Sequence, residues 1–251
     1  MKTKTLFIVP FILFLSFTFY AQNPVKGKAV YKLTFVDIEA RLSLMKEKMK
    51  AEFMDEKFMR NMERMYKTRE LSYTLLFNDT VSLFYRSKNS IDAKGMLSIM
   101  GDKGKYYTSL KNKTILNEKE AFSMLFLIKS DAIDWEITKE TKKIKGYTCY
   151  KAVGKRKFHG RKGWFEKEIV VWYTKEIPHA YGPSVYGGSL PGFIIESYNK
   201  NVKYEFVSID FNVDDKIKIV KPTKGKKLTH LEFQKESKKL SEESMYMMRK
   251  N

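Results

Sequence analysis

Alternation of apolar and polar residues is the feature of this sequence that most limits its fold. Tyr31, Leu33 and Phe35 fall on one face of a strand at 29–35, and Lys32 falls on the other. A period of two is typical of a half-buried β-strand. The pattern recurs at 71–77, 81–85, 106–110 and 114–116, and further strands are predicted at 135–138, 147–153, 165–173, 193–198 and 202–209. A continuous apolar run at 122–128 predicts a strand buried on both faces.

About ten strands, mostly joined as hairpins, predict an α+β fold built mainly on an antiparallel β-sheet. A sheet of this size has to curl, or pack against another layer, to hide one face from water. We therefore expect a curled sheet with helices on one side.

A different pattern predicts a helical segment at 38–70, which contains neither Gly nor Pro. Apolar residues recur there at steps of three and four, and many of them are methionines. The pattern slips near Asp55, so we expect a break or two helices. Because Met adapts to irregular partners, Met45, Met49 and Met62 either pack on the sheet or face a ligand beneath a lid. The polar, basic C-terminus predicts a second, short helix.

The N-terminus has the pattern of a secretory signal peptide at residues 1–21. Two lysines precede an apolar run at 6–20, which is shorter than the roughly 20 residues of a relaxed membrane span. We predict cleavage after Ala21; the alternative is an uncleaved anchor. Export to the periplasm or the cell exterior, a single mature domain at 22–251 and no integral membrane segment after cleavage are then expected.

The formal net charge of the chain is +19. A strongly basic exported protein is expected to meet an anionic envelope surface, whereas export argues against nucleic acid as a partner. The alternative interpretation is that the charge only keeps the protein in solution.

The densest turn chemistry lies at 177–196, named here the Gly-Pro loop. Gly permits positive φ and close backbone approach, and Pro fixes φ, so this loop is tightly specified. It connects the predicted strands at 165–173 and 193–198. Its candidate site residues are Ile177, Pro178, Gly182, Pro183, Gly187, Gly188, Leu190, Pro191 and Gly192.

The tripeptide L-P-G at 190–192, followed by Ile194, resembles the hexapeptide that names the GLPGLI family of exported Bacteroidota proteins. I-P at 177–178 and G-P at 182–183 match elements that usually precede it. The likeness also includes the strand before the loop and covers roughly residues 130–200.

The chain departs from the family motif at two positions. Ser189 stands where the first Gly is expected, and Phe193 where Leu is expected. Gly188 is the neighbour that can take over a positive φ at this point. The resemblance implies an exported cell-envelope protein and supplies no activity. The expected layout is also similar to lipoprotein-carrier folds of the periplasm, a likeness of fold alone.

The sequence contains no GxSxG, HExxH or paired-cysteine motif. Of the histidines, His159, His179 and His230, only His179 in the Gly-Pro loop is a candidate base. We therefore predict no catalytic residue, no metal and no cofactor. A lone cysteine, Cys149, is expected to be buried and inert. The D-T-V sequence at Thr80 resembles an acceptor site for O-glycosylation in Bacteroidota; the alternative is a simple turn.

Three functions fit these observations. The first, which we predict, is a non-enzymatic binding or carrier module for a lipid or other apolar or amphiphilic envelope ligand. The second is a docking partner of an outer-membrane protein, using the basic surface or the loop. The third is a hydrolase, which would need a polar cleft with perturbed titratable groups.

Overall fold

The structure is a computed structural model that describes residues 26–48, 56–67, 71–87, 103–160, 162–199, 202–214 and 218–250. The predicted signal peptide lies outside these residues. The helices within them are α1 (Ile38–Lys48), α2 (Glu56–Lys67) and α3 (His230–Lys250). The strands are β1 (Gly27–Phe35), β2 (Leu71–Phe77), β3 (Val81–Arg86), β4 (Lys105–Ser109), β5 (Thr114–Ala121), β6 (Met124–Ser130), β7 (Trp135–Ile144), β8 (Tyr147–Gly160), β9 (Gly163–Thr174), β10 (Phe193–Asn199), β11 (Val202–Asp210) and β12 (Lys226–Thr229).

The strands form one 12-stranded sheet in the order β12-β6-β5-β4-β3-β2-β1-β11-β10-β9-β8-β7. Neighbours run antiparallel except β12 and β6, which are parallel, so the sheet is mixed. The prediction of an antiparallel sheet of about ten strands is therefore wrong. The sequence of β12, Lys-Lys-Leu-Thr, does not alternate, and its parallel pairing depends on a long chain return that no local pattern encodes.

The predicted Met-rich helical segment at 38–70 is also wrong. The described helix there is divided between α1 and α2, and in these two helices only Leu42 among the described side chains is buried in the core. In α1 the apolar residues do not gather on one face, so this helix has little apolar surface to pack on a sheet. Met45 and Met62 lie in α1 and α2, but their side chains, like the whole of Met49, lie outside the described part of the chain. None of the described helices has the length and apolar content to cross a membrane.

The C-terminal helix is longer than the short one predicted, since α3 has 21 residues. Its start is a capping box, in which the side chains of Thr229 and Glu232 each bond the other's backbone. The Thr229 N–H donates to Glu232 Oε2 at 2.7 Å, and the Glu232 N–H donates to Thr229 Oγ1 at 3.3 Å.

The two ends of the sheet meet at a seam that α3 bridges. Phe233 of α3 packs edge-on against Phe126 of β6, with ring centroids 5.2 Å apart. On the other side, His230 donates from Nε2 to the carbonyl of Lys157 in β8 at 2.8 Å. Arg156 of β8 also donates from Nη2 to Ser130 Oγ of β6 at 3.0 Å. Because β6 and β8 are each next to an edge strand, the sheet must curl strongly to bring them together.

The inner face of the curled sheet carries the main core. Tyr31, Tyr73 and Phe84 are fully or almost fully buried there and stack or meet edge-to-face. Aromatic pairs at these separations add to the stability from burial alone. Helix α3 lies on this inner side: it packs on Phe126 of β6, and the next residue, Leu127, points to the opposite, outer face.

The outer face has a smaller apolar cluster, formed by Tyr107, Leu116 and Leu127. Ile219 packs on it from residues 218–224, a segment without regular structure that we name the strap. The strap therefore hides part of the outer face from water.

Replacement of Phe233 by Ala should open the seam, because it removes the buried ring that joins α3 to β6. We expect the free energy of unfolding to fall by roughly 3–5 kcal/mol, measured by urea denaturation. Met247→Ala, at a residue of the same helix that is 61% exposed, is the control and should have little effect. A Phe233 variant as stable as its control would show that α3 does not hold the sheet closed.

Candidate functional site

The Gly-Pro loop lies on the inner face of the sheet and fills it. Tyr181, Val185 and Leu190 are buried in the same cluster as the inner-face residues of the strands. The ring of Tyr181 lies 5.9 Å from that of Phe77 in β2. Along the loop, Ile177, Gly182, Pro183, Gly187 and Gly192 are also buried, Gly188 is half-buried, and Pro178 and Pro191 are exposed.

Backbone contacts hold the end of the loop against β1 and β9. The Tyr31 hydroxyl donates to the carbonyl of Ile194 at 2.5 Å, and the Ile194 N–H donates to the carbonyl of Tyr181 at 2.9 Å. Gly192 lies so close to β9 that a Cβ there would collide with the carbonyl group of Thr174. Close approach of two backbones is therefore what requires glycine at this position.

At the position of the family motif's first glycine, the positive φ is taken by the neighbouring Gly188 and not by Ser189. Gly188 has a φ of +102°, in the region that favours glycine. Ser189 is not among the described residues with positive φ, and its hydroxyl donates to the carbonyl of Ile133 at 3.0 Å. The serine thus links the loop to the connection between β6 and β7.

Gly192→Ala should destabilise the fold by about 1–3 kcal/mol, because a backbone carbonyl cannot move aside as a flexible side chain can. Thermal and urea unfolding would measure the loss. Pro191→Ala, at the exposed neighbouring residue, is the control. Equal stability of the two variants would contradict a structural role for the close approach at Gly192.

A groove along the seam, between the β8–β9 hairpin and α3, is the candidate binding site. Its apolar end is a cavity of about 460 Å³. Trp164, Phe165 and Leu231, respectively 43%, 43% and 46% exposed, line this end. Large apolar side chains exposed together mark surfaces that bind ligands or partners.

The long β8–β9 hairpin positions these aromatic side chains. Its register pairs His159 with Trp164 and Phe158 with Phe165. The rings of His159 and Trp164 meet edge-to-face with centroids 4.8 Å apart, and Lys167 Nζ lies 4.7 Å from the centroid of Phe158. The contact with His159 orients Trp164 at the edge of the groove.

The polar end of the groove is a cavity of about 750 Å³ that shares Lys157, Glu166 and Leu231 with the apolar end. It is lined by charges of both signs, which come from the connection before β7, from β7 itself and from β8 and β9. These charged residues are Asp131, Asp134, Glu136, Lys155, Arg156, Lys157 and Glu166. Four carboxylates and three cations line this end, so a polar group of mixed charge suits it better than a single anion.

His230 also lines the polar end. Burial, and then the positive charge of Arg156, lower the pKa of His230 to about 4. Its neutral ring is oriented by the hydrogen bond to the Lys157 carbonyl, which can only accept, so Nε2 carries the hydrogen. Among the described residues, no group of three or more His, Cys, Asp and Glu could hold a metal ion.

Stability should depend on the protonation of His230. The pKa of this residue is about 4 in the folded protein and 6.5 ordinarily, so between these values the unfolded chain binds more protons. The stability that the folded protein gains from keeping His230 neutral is fully present above pH 6.5 and is lost as the pH falls toward 4. Urea unfolding across this range should show a shallower pH slope for His230→Gln than for the wild type. A slope unchanged in His230→Gln, or one equally reduced in the control His159→Gln, would contradict this role.

The structure separates the sequence-predicted residues from the groove. His179 is buried with the Gly-Pro loop, beside Phe77 and Tyr181, and burial lowers its pKa. Cys149 is a buried free thiol, and burial followed by the charge of Glu196 raises its pKa to about 11. Thr80 lies at an exposed turn, where its hydroxyl donates to Asn78 Oδ1 at 3.1 Å.

Sequence reasoning missed Trp164, Phe165 and Leu231. The first two follow a basic, glycine-containing turn, and adjacent aromatics beside such a turn are the signal that could have indicated an exposed pair. For Leu231 the sequence has no comparable signal, because only the closure of the sheet brings α3 to the hairpin.

Part of this region is similar to a known family model. Residues 155–196 match the family model described as a protein of unknown function (Porph_ging), which spans most of the β8–β9 hairpin and the Gly-Pro loop. The chain is similar to a solved structure of PNGF-II, at 17% identity and a TM-score of 0.48. That alignment covers 86% of this chain and 33% of the PNGF-II chain, so the protein spans about a third of its length. None of the curated proteins matches the chain.

Proposed function

We propose that this chain is an exported cell-envelope protein of the GLPGLI type that binds an amphiphilic ligand in the seam groove. The observation that carries the proposal is the exposure of Trp164, Phe165 and Leu231 around one cavity. An apolar chain placed there would remove these side chains from water, which is the main source of affinity for such ligands.

The two ends of the groove match the two parts of an amphiphile. The apolar cavity suits a hydrocarbon chain, and the contiguous polar end has carboxylates and cations for a zwitterionic headgroup. Lys157 and Glu166 lie at the junction, where chain and headgroup of such a ligand would join. Opposite charges at that point suit a headgroup that is neutral overall.

The inner face of the sheet is a poorer candidate for a ligand. Aromatic residues of the strands and the buried residues of the Gly-Pro loop form one cluster there. A ligand would have to displace Tyr181 or Leu190, which are buried, at the expense of their packing. The binding function predicted from the curled sheet is therefore proposed for the seam instead of the sheet's interior.

The full chain should bind lysophosphatidylcholine carrying a fluorescent acyl chain, used below its micelle concentration. Simultaneous replacement of Trp164 and Leu231 by Ser removes apolar surface from both walls of the groove. We expect affinity to fall on the order of 100-fold, since each of the two truncations loses roughly 1.5 kcal/mol of apolar burial. Fluorescence anisotropy of the labelled lipid would measure the change.

Val207→Ser is the matched control, because Val207 on β11 is 42% exposed and does not line the groove. Its affinity should equal that of the wild type. Equal binding by the Trp164 and Leu231 double variant would place the ligand elsewhere. A wild-type chain that does not bind the lipid would instead favour the docking function.

A further inference from the structure

A separate cavity, of about 590 Å³, lies on the outer face of the sheet beside the strap. It is distinct from the seam groove, because it is built from β2, β3, the start of β4, β5 and the strap. We name it the basic cleft. The cations that line it are Arg86, Lys103, Lys105, Lys218, Lys221 and Lys224.

The basic cleft has a strong excess of positive charge. Among the described residues, six cations line it and one carboxylate, that of Glu118. Glu118 Oε1 is already paired with Lys105 Nζ at 3.1 Å. The cations converge from separate elements, so their fields add within the cleft and favour an anion of more than one charge.

Apolar side chains lie next to these cations. Leu76 and Leu83 face each other across β2 and β3 and line the cleft from the outer face of the sheet. Val220 of the strap is 68% exposed between Lys218 and Lys221. Its neighbour Ile219 is turned inward, onto the outer-face cluster.

We propose that the basic cleft and strap dock the protein on the surface of an anionic phospholipid bilayer. The lysines contact lipid phosphates, and Val220 enters the layer between headgroups and acyl chains. A flexible polysaccharide would also neutralise the cations, but it has no apolar layer in which an exposed Val flanked by lysines could be buried. This proposal is independent of ligand binding in the seam groove.

The test is flotation of the full chain with vesicles of phosphatidylcholine mixed equally with phosphatidylglycerol, compared with vesicles of phosphatidylcholine alone. The protein should bind the anionic vesicles much more strongly than the neutral ones. The triple variant Lys218→Gln, Lys221→Gln, Lys224→Gln should lose on the order of 100-fold in affinity, since each lysine near such a surface contributes about 1 kcal/mol.

The matched control is Lys139→Gln, Lys143→Gln, Lys145→Gln. These lysines, on β7 and the turn after it, are exposed, and their removal changes the net charge equally. The control should bind as the wild type does. Equal losses in both triple variants would show a non-specific effect of net charge and overturn the proposal, as would equal binding by all three proteins.

Val220→Ser separates a bilayer from a soluble polyanion. It should weaken vesicle binding and leave binding to heparin unchanged. Strap-dependent binding to heparin without binding to anionic vesicles would show that the cleft takes a polysaccharide and would overturn the bilayer assignment. The Trp164 and Leu231 double variant should bind these vesicles like the wild type, so failure of the groove proposal is distinguishable from failure of this one.

Discussion

Packing of the Gly-Pro loop against the inner face of the sheet is the interaction on which the rest of the structure depends. Without it, Tyr31, Tyr73 and Phe84 would line an open concave surface, and a curled sheet exposes such a surface to water at a high free-energy cost. The approach of Gly192 to Thr174 lets the loop fit closely enough to exclude water. The loop thus replaces the ligand or the helical lid that a curled sheet would otherwise need.

Because the interior is filled, the candidate binding surfaces lie where separate elements meet at the periphery of the described structure and leave apolar side chains exposed. One such place is the seam, where α3 joins the sheet ends and leaves Trp164 and Leu231 partly in water. Another is the outer face, where the strap covers the cluster around Leu116 but leaves Val220 outside. Both surfaces combine apolar side chains with charge, mixed at the seam and positive beside the strap. The two proposed sites therefore differ in the headgroup chemistry they select.

Local patterns predicted local structure well, and relations between distant segments poorly. Alternation at 29–35 and 71–77 identified β1 and β2, since burial of one face leaves a period of two in each strand. The chemistry of the Gly-Pro loop indicated a tightly specified segment, but not that it would fill the inner face. The prediction of a Met-rich helical segment at 38–70 was wrong because steps of three and four do not reveal what a helix packs against. Trp164 and Leu231 could not be paired from the sequence, since their proximity results from closure of the whole sheet.

The position of β1 in the middle of the sheet has a consequence for how the chain folds. β1 is the first described strand, yet one of its two neighbours is β11, and its Tyr31 hydroxyl bonds the backbone of β10. Forming contacts between segments this far apart has a large entropic cost of loop closure, and topologies dominated by such contacts fold slowly. The β2–β3 and β4–β5 hairpins can form early, because each joins segments that are close in the sequence. Strand β1 cannot complete its pairing until β11 is available, and the seam cannot close until α3 is available, so apolar strand surfaces stay open until most of the chain is free to fold.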